Sequence, residues 1–312
     1  MVDKPFIFRH TDDEEVFSIQ LNKRNVHGFT FVTRALSQIY SLLISETLAT
    51  KRDLFYEQKD LYGVQRNLDQ SIPKICRLLH ADRISNNVLA AGRGVLMGDL
   101  KLKDNDSVLD CSLAPVLINH VSKNAFLNCE ARFVLVVEKD AIFQKLVQEG
   151  FFPLFSPAVL VTARGYPDLA TRQLLKLLSN LYHIPIYGLM DSDPHGIEIA
   201  LTYKYGSRKR QYDIGDCSLP NFQWVGLSRT EISRYPVPDD KFLYINEQED
   251  KKILTLCRRV ANVKEWILLR ELKCLMNSGT KLELEAVSGI SRGFLLHTVL
   301  CEKLSTFVNK EK

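Results

Sequence analysis

Ile184-Pro-Ile-Tyr-Gly-Leu-Met-Asp191-Ser-Asp193-Pro-His-Gly196-Ile-Glu-Ile199 is the stretch that decides how the rest of the chain is read. It opens as an apolar run of strand length, reaches two aspartates one residue apart, and continues through Pro194 into a helical pattern. In an open α/β sheet ligands gather outside the carboxyl ends of the strands, so Asp191 and Asp193 face whatever the sheet binds. Two carboxylates placed there repel each other. A hard divalent cation such as Mg²⁺ relieves that repulsion, because it takes one or two carboxylates plus phosphate oxygens and keeps several of its waters. The same four residues, Asp-Ser-Asp-Pro, also spell a helix N-cap followed by a proline-started first turn. The stretch alone leaves both readings open.

The residues before it supply a further acid. Phe133-Val-Leu-Val-Val-Glu138 reads as a buried strand ending in a carboxylate, followed by a helix from about Asp140 to Glu149. Ala158–Thr162 is the next strand and Pro167–Tyr182 the next helix, after which comes the opening strand with its own helix from Pro194. A βαβαβ succession implies a parallel sheet with right-handed crossovers. Glu138, Asp191 and Asp193 then lie at one edge of one sheet, and the convergence of three acids favours a metal site over a simple cap.

The chain has 312 residues, enough for roughly two ordinary domains, and its 46% hydrophobic and 25% charged content excludes a disordered class. A net charge of +4 is only mildly basic, so binding to nucleic acid must come from local sites. The seven cysteines are scattered without a Cys-x-x-Cys pair, which indicates neither a disulfide framework nor a zinc site. The N-terminus lacks the basic start and apolar core of a signal peptide, and no apolar run approaches the ~18 residues of a membrane span. An intracellular, reduced protein is expected. Ser207-Arg-Lys-Arg210 is a short basic run, read either as a nuclear signal or as a solvated loop.

Residues 1–30 are polar and weakly patterned, an N-terminal arm. From Phe31 the apolar positions Val32, Leu36, Ile39 and Leu43 recur at helical spacing to about Leu48. Thr50-Lys-Arg-Asp53 has the form of a capping box, so a second helix begins there. On it Leu54, Phe55, Leu61 and Tyr62 share one face, while Tyr56 falls on the other beside Arg52, Asp53, Lys59 and Asp60. A tyrosine hydroxyl held outward, one turn from a guanidinium that matches phosphate geometry, is either a surface residue packed over an arginine stem or a reactive group. A third helix is expected over Gln70–Ala81 with Pro73 in its first turn. Asn87–Asp99 then reads as a hairpin around Gly92-Arg93-Gly94. Three helices and a hairpin are the order of a winged helix-turn-helix, with Arg93 placed to touch phosphate.

Arg52-Asp-Leu-Phe-Tyr56, Val137-Glu-Lys139, Arg164-Gly-Tyr-Pro-Asp168 with Thr171-Arg172, and Asp191-Ser-Asp-Pro-His-Gly196 occur in that order. Together they resemble the A-type chain of the type IIB topoisomerase VI, and most closely the eukaryotic branch that makes meiotic double-strand breaks. The resemblance runs from about Phe31 to the C-terminus, where Trp266, Glu271-Leu272 and Lys281–Glu285 look like the family's helical tail. It implies an α/β fold, α+β overall: a CAP-like winged-helix domain over residues 31–125, then a Toprim domain with a helical C-terminal extension over 126–312.

The same resemblance implies the chemistry. Tyr56 is the nucleophile that attacks a DNA phosphodiester and leaves a 5′-phosphotyrosyl link, Arg52 steadies the phosphate, and Glu138, Asp191 and Asp193 hold Mg²⁺. A free tyrosine titrates near ~10, so its attack needs a base or a charged neighbour. Arg93, Arg164 and Tyr166 are the expected DNA contacts. The implied partners are double-stranded DNA, a second copy of the chain in a homodimer on DNA, a B-type topoisomerase VI-like protein and accessory break-forming proteins, all in the nucleus. The family's usual Gly-Lys-Gly is Ala163-Arg164-Gly165 here, and its hairpin lysine is Arg93. Positive charge is kept while geometry changes. Two other readings compete, a non-cleaving winged-helix/Toprim paralogue and a different Toprim enzyme such as a primase or nuclease. Retention of Tyr56, Arg52 and all three acids speaks against the first, and the Arg-Asp-Leu-Phe-Tyr segment has no purpose in the second.

Overall fold

A computed structural model describes residues 7–10, 17–21, 24–89, 92–104, 107–119, 126–206 and 217–307. The basic run at 207–210 and much of the expected N-terminal arm lie outside them. The chain divides into two compact units, one of residues 1–91 with 206–217 and one of residues 92–205 with 218–312.

The first unit contains a two-stranded antiparallel ribbon, β1 (Ile7–His10) and β2 (Phe17–Gln20), followed by helix α1 (Val26–Ile44). Next come β3 (Ala49–Thr50), α2 (Lys51–Glu57), α3 (Lys59–Tyr62), α4 (Gln65–Leu79) and β4 (Val88–Leu89), which pairs in parallel with β3. Val32, Ala35 and Ile39 of α1 pack with Leu54, Tyr62, Leu68, Ile72 and Ile75 into one buried cluster. Each large apolar side chain withdrawn from water contributes about 1.5–3 kcal/mol. The helix beginning at Thr50 forms as expected, but the chain leaves helical geometry at Gln58 (φ −131°, ψ 39°) and restarts. That break rotates Leu61 off the apolar face, and it is exposed while Tyr62 stays buried. Helix α4 starts five residues before the expected Gln70, so Pro73 lies inside it rather than in its first turn.

The second unit is built on a six-stranded sheet. Its strands are β5 (Val95–Gly98), β8 (Val116–Leu117), β10 (Val134–Val137), β11 (Val159–Thr162), β12 (Ile186–Leu189) and β13 (Phe222–Trp224), in the order β13-β12-β10-β11-β5-β8. A separate three-stranded sheet comprises β6 (Leu100–Asp104), β7 (Ser107–Asp110) and β9 (Phe126–Cys129). Strands β10, β11, β12 and β13 run parallel. Helices α5 (Asp140–Glu149), α6 (Phe151–Phe155), α7 (Leu169–Tyr182) and α8 (Pro194–Tyr205) connect them. Every residue of β10 and β11 is buried, as expected of a parallel sheet covered on both faces.

The tail is helical, with α9 (Arg229–Ile232), α10 (Glu247–Asn262) and α11 (Trp266–Ser278). A short ribbon of β14 (Leu243–Tyr244) and β15 (Thr280–Lys281) precedes α12 (Leu284–Ser288) and a π-helix at Phe294–Leu300. This is the mixed α/β architecture with a parallel sheet expected from the sequence.

The hairpin around Gly92-Arg93-Gly94 is a correction. Val88–Leu89 pairs with β3 in the first unit, whereas Val95–Gly98 joins the large sheet antiparallel to β11. The reason is apolarity on both faces: Val95, Leu96 and Gly98 are buried, which an exposed wing would not allow. Val88–Leu89 and Val95–Gly98 therefore belong to different units.

Candidate active site

In the first unit α2 presents the aromatic pair. The Thr50 hydroxyl accepts from the Asp53 N–H at 3.2 Å, and Asp53 Oδ2 accepts from the Thr50 N–H at 2.8 Å, completing the capping box. Leu54 and Phe55 face the core, and Tyr56 on the opposite face is 59% exposed. The Tyr56 ring rests 5.6 Å from that of Phe55, centroid to centroid. Arg52, one turn earlier, is also exposed. Beneath them lies a polar residue the sequence reading passed over. Gln38, buried on α1, donates to the Leu54 carbonyl and to Glu57 Oε2, both at 2.9 Å, and accepts from the Tyr62 hydroxyl at 2.8 Å.

In the second unit Glu138 follows β10 and Asp191 follows β12, and the parallel pairing of these strands brings the two acids together. The Asp191 N–H donates to Glu138 Oε2 at 3.0 Å. Burial, and after it the Asp191 charge, pushes the Glu138 carboxyl well above the usual carboxylate range. Burial also raises Asp191, against the pull of the Leu284 N–H and Lys139. Gly196 matters here because a Cβ on it would stand 2.5 Å from the Asp191 carbonyl oxygen and 3.2 Å from Glu138 Oε2. Only a residue without a side chain lets the start of α8 approach the acids this closely.

Asp193 takes the capping role. Its Oδ1 accepts from the Gly196 N–H at 2.6 Å. Among the described residues no three His, Cys, Asp or Glu side chains converge closely enough to hold one ion. Glu138 and Asp191 thus form the hydrogen-bonded pair, and Asp193, expected as the third ligand, has one oxygen on the helix start, where N–H groups attract a carboxylate. The pair still fits Mg²⁺: two clustered carboxylates at a sheet edge, burdened by desolvation and by each other, are a donor set that a hard cation relieves while substrate phosphate and water complete its shell.

Lys139, Leu284, Glu283 and Glu285 complete the surroundings, and only their sequence neighbourhood, not their role, was visible beforehand. Asp191 Oδ1 accepts from the Leu284 N–H at 2.8 Å, and Asp191 Oδ2 lies 3.0 Å from Lys139 Nζ. The same ammonium is 3.1 Å from Glu283 Oε2 and 2.8 Å from Glu285 Oε2. Burial opposes its charge, but these carboxylates outweigh burial and keep Lys139 protonated. Ser192 and Leu282 exchange backbone hydrogen bonds at 2.9 and 3.1 Å, so the tail segment is strapped across the acid loop.

The three expected DNA contacts belong to this unit and only partly meet. The Arg93 N–H donates to Asp168 Oδ2 at 2.8 Å, and its Nη2 to the Tyr166 carbonyl at 3.2 Å, joining Arg93 to the Arg164–Asp168 loop. Asp168 also caps α7 through the Thr171 N–H. Arg164 instead pairs with Asp140, Nε to Oδ1 at 3.2 Å, with its backbone in the left-handed region (φ 58°). The following Gly165 N–H donates to the Glu138 carbonyl at 2.8 Å, hanging this loop on the acid-bearing strand. The Tyr166 hydroxyl bonds Glu198, Lys252 Nζ at 2.9 Å and His195 Nδ1 at 3.3 Å.

Comparison with known proteins matches two family models. Residues 133–304 match the Toprim domain of the topoisomerase 6 A-subunit/Spo11 proteins, and residues 27–88 match the type IIB DNA topoisomerase model. The meiotic recombination protein spo-11 of Caenorhabditis elegans is 38% identical over 277 residues, 88% of this chain and 65% of that protein. Meiotic recombination protein SPO11 of Mus musculus is 33% identical over 285 residues, covering 90% of this chain and 72% of the mouse protein. The A-type chain of DNA topoisomerase 6 from Arabidopsis thaliana is 31% identical over 284 residues, 90% of this chain and 66% of its own length. The chain thus spans about two thirds to three quarters of these relatives.

Proposed function

Since the chain belongs to the topoisomerase 6 A-subunit/Spo11 family, we propose that it breaks both strands of duplex DNA by transesterification, in the initiation of meiotic recombination. The observation that carries this reading is Tyr56, a hydroxyl exposed on a short capped helix whose opposite face is buried. The Tyr56 oxygen gives up its proton to solvent and forms a bond to a backbone phosphorus as the bond from that phosphorus to the 3′-oxygen breaks. The 3′-oxygen leaves with the electron pair and takes up a proton, and the protein stays on the 5′-phosphate. One phosphodiester replaces another, so the break remains reversible without an external energy source.

Arg52, one turn from Tyr56, offsets charge on the attacked phosphate. Glu138 and Asp191, with the second oxygen of Asp193, are the groups that would hold Mg²⁺, which when bound stabilises charge on the phosphate and the departing oxygen. Arg93, Arg164 and Tyr166 contact the DNA backbone. Each break needs two nucleophiles, which a two-fold homodimer on DNA supplies by symmetry. A B-type topoisomerase VI-like protein and accessory break-forming proteins assist, and the site of action is chromosomal DNA in the nucleus.

The test is a denaturing gel on end-labelled duplex with Mg²⁺. A protein adduct on the 5′ end together with a free 3′-hydroxyl is the expected product. Noncovalent binding with no adduct, in the presence of the B-type partner, would favour the non-cleaving paralogue.

A further inference from the structure

Lys139 is held by three carboxylates from two separate segments, and only one of the three belongs to the acid pair. Its Nζ is 3.0 Å from Asp191 Oδ2, 3.1 Å from Glu283 Oε2 and 2.8 Å from Glu285 Oε2. Asp191 thus has both oxygens engaged, Oδ1 by the Leu284 N–H and Oδ2 by an ammonium. Glu138, by contrast, has only Oε2 engaged by a hydrogen bond among the described residues. A divalent cation drawn to this pair therefore meets a competitor already seated on Asp191. The competitor is a lysine ammonium, tethered to the chain and partly buried. It cannot leave for solvent without losing charge-assisted hydrogen bonds, but Glu283 and Glu285 offer it two such bonds close at hand.

We propose that Lys139 is a built-in counter-cation, and that Glu283 and Glu285 are positioning residues that receive it when a divalent ion takes Asp191. The inference rests on the metal reading of the acid pair given above. Without an ion Lys139 bridges Asp191 and the strap, sparing Asp191 an unpaired buried charge. When an ion binds, the ammonium shifts by part of its own side-chain reach onto the two strap carboxylates. Glu283 and Glu285 thereby set the affinity for the ion without touching it. The strap's backbone bond from Leu284 to Asp191 is independent of these side chains, so removing their charge leaves Asp191 anchored.

Simple loss of negative charge near the site would also weaken cation binding, and a double-mutant cycle separates the two effects. Mn²⁺ affinity is measured by titration calorimetry and by electron paramagnetic resonance of the free ion, on the full chain without DNA. Four proteins are compared: wild type, E283Q/E285Q, K139M and K139M/E283Q/E285Q. With Lys139 present, E283Q/E285Q should weaken Mn²⁺ binding about tenfold, the loss of about one charge-assisted bond. In the K139M background the same pair of changes should cost less than about twofold, because no ammonium remains to be received.

Equal losses in both backgrounds would overturn the role given to the strap while leaving the metal site standing. Failure of both wild type and K139M to bind Mn²⁺ would overturn both. Urea unfolding of all four proteins confirms that each is compared in its folded state, and E283D/E285D, which keeps the charge on a shorter arm, should recover part of the affinity lost in E283Q/E285Q.

Discussion

The Tyr62 hydroxyl donates to Gln38 Oε1 at 2.8 Å, and the amide of the same glutamine donates to the Leu54 carbonyl two residues before Tyr56. A buried hydrogen-bonded pair thus fixes the exit of the tyrosine helix to α1. Tyr62→Phe leaves Gln38 Oε1 buried without its donor, a loss of about 1–3 kcal/mol. Burial pushes the Tyr62 phenol up to about 12, so the folded state holds this proton more tightly than the unfolded chain, where tyrosine titrates near ~10. Its contribution is complete below the unfolded value and is lost as pH rises from there toward the folded one. Urea titrations between neutral and strongly alkaline pH should show wild type and Tyr62→Phe converging at the alkaline end.

Tyr56→Phe removes one oxygen from an exposed face. Stability should stay within about ±0.5 kcal/mol of wild type, DNA binding should persist in gel shifts, and the covalent adduct should vanish. A 5′-linked adduct formed by this variant would refute the nucleophile assignment.

Glu138 binds its proton more tightly when folded, because burial and Asp191 raise it. In chelator its contribution to stability is present at acid pH, below the ordinary carboxylate value, and is lost as pH rises through the raised one. Glu138→Gln, which cannot ionise, should flatten that decline and melt higher than wild type in mildly alkaline chelator. With Mg²⁺ added the order should reverse, since only wild type gains from the ion. Thermal melts at several pH values, with and without Mg²⁺, give all four comparisons.

Mixing Tyr56→Phe chains with Glu138→Ala chains tests whether each nucleophile works with the other copy's acids. Shared sites put both defects in one site of a mixed dimer and leave the other intact, so nicking of one strand should return without double-strand breaks. No nicking from mixed dimers shown to form on DNA would mean that each site is built within one chain.

Much of this architecture was legible beforehand because the signals were local. The apolar runs ending in Glu138 and Asp191 announce parallel strands, and Thr50 and Asp53 announce the start of the tyrosine helix, each within a few residues. The misplaced features depended on distant partners. Val95–Gly98 looks like one arm of a hairpin until β11 is available to pair with it, and Leu61 keeps helical spacing from Leu54 until the chain breaks at Gln58. The cap bond of Asp193 is not visible from sequence because it depends on where the Gly196 N–H points. The role of Lys139 was hidden because two of its partners lie more than 140 residues away in the chain.

The strap from Leu282 to Glu285 also bears on when, during synthesis, the acid site exists. Asp191 is anchored by the Leu284 N–H, and Ser192 is paired with Leu282. A chain still growing on the ribosome, with its last segment in the exit tunnel, has β10 and β12 but not the residues that hold the acid loop between them. A polypeptide interrupted before Leu282 would lack that clasp altogether. Interrupted translation products would therefore lack the backbone bonds that anchor Asp191 and Ser192.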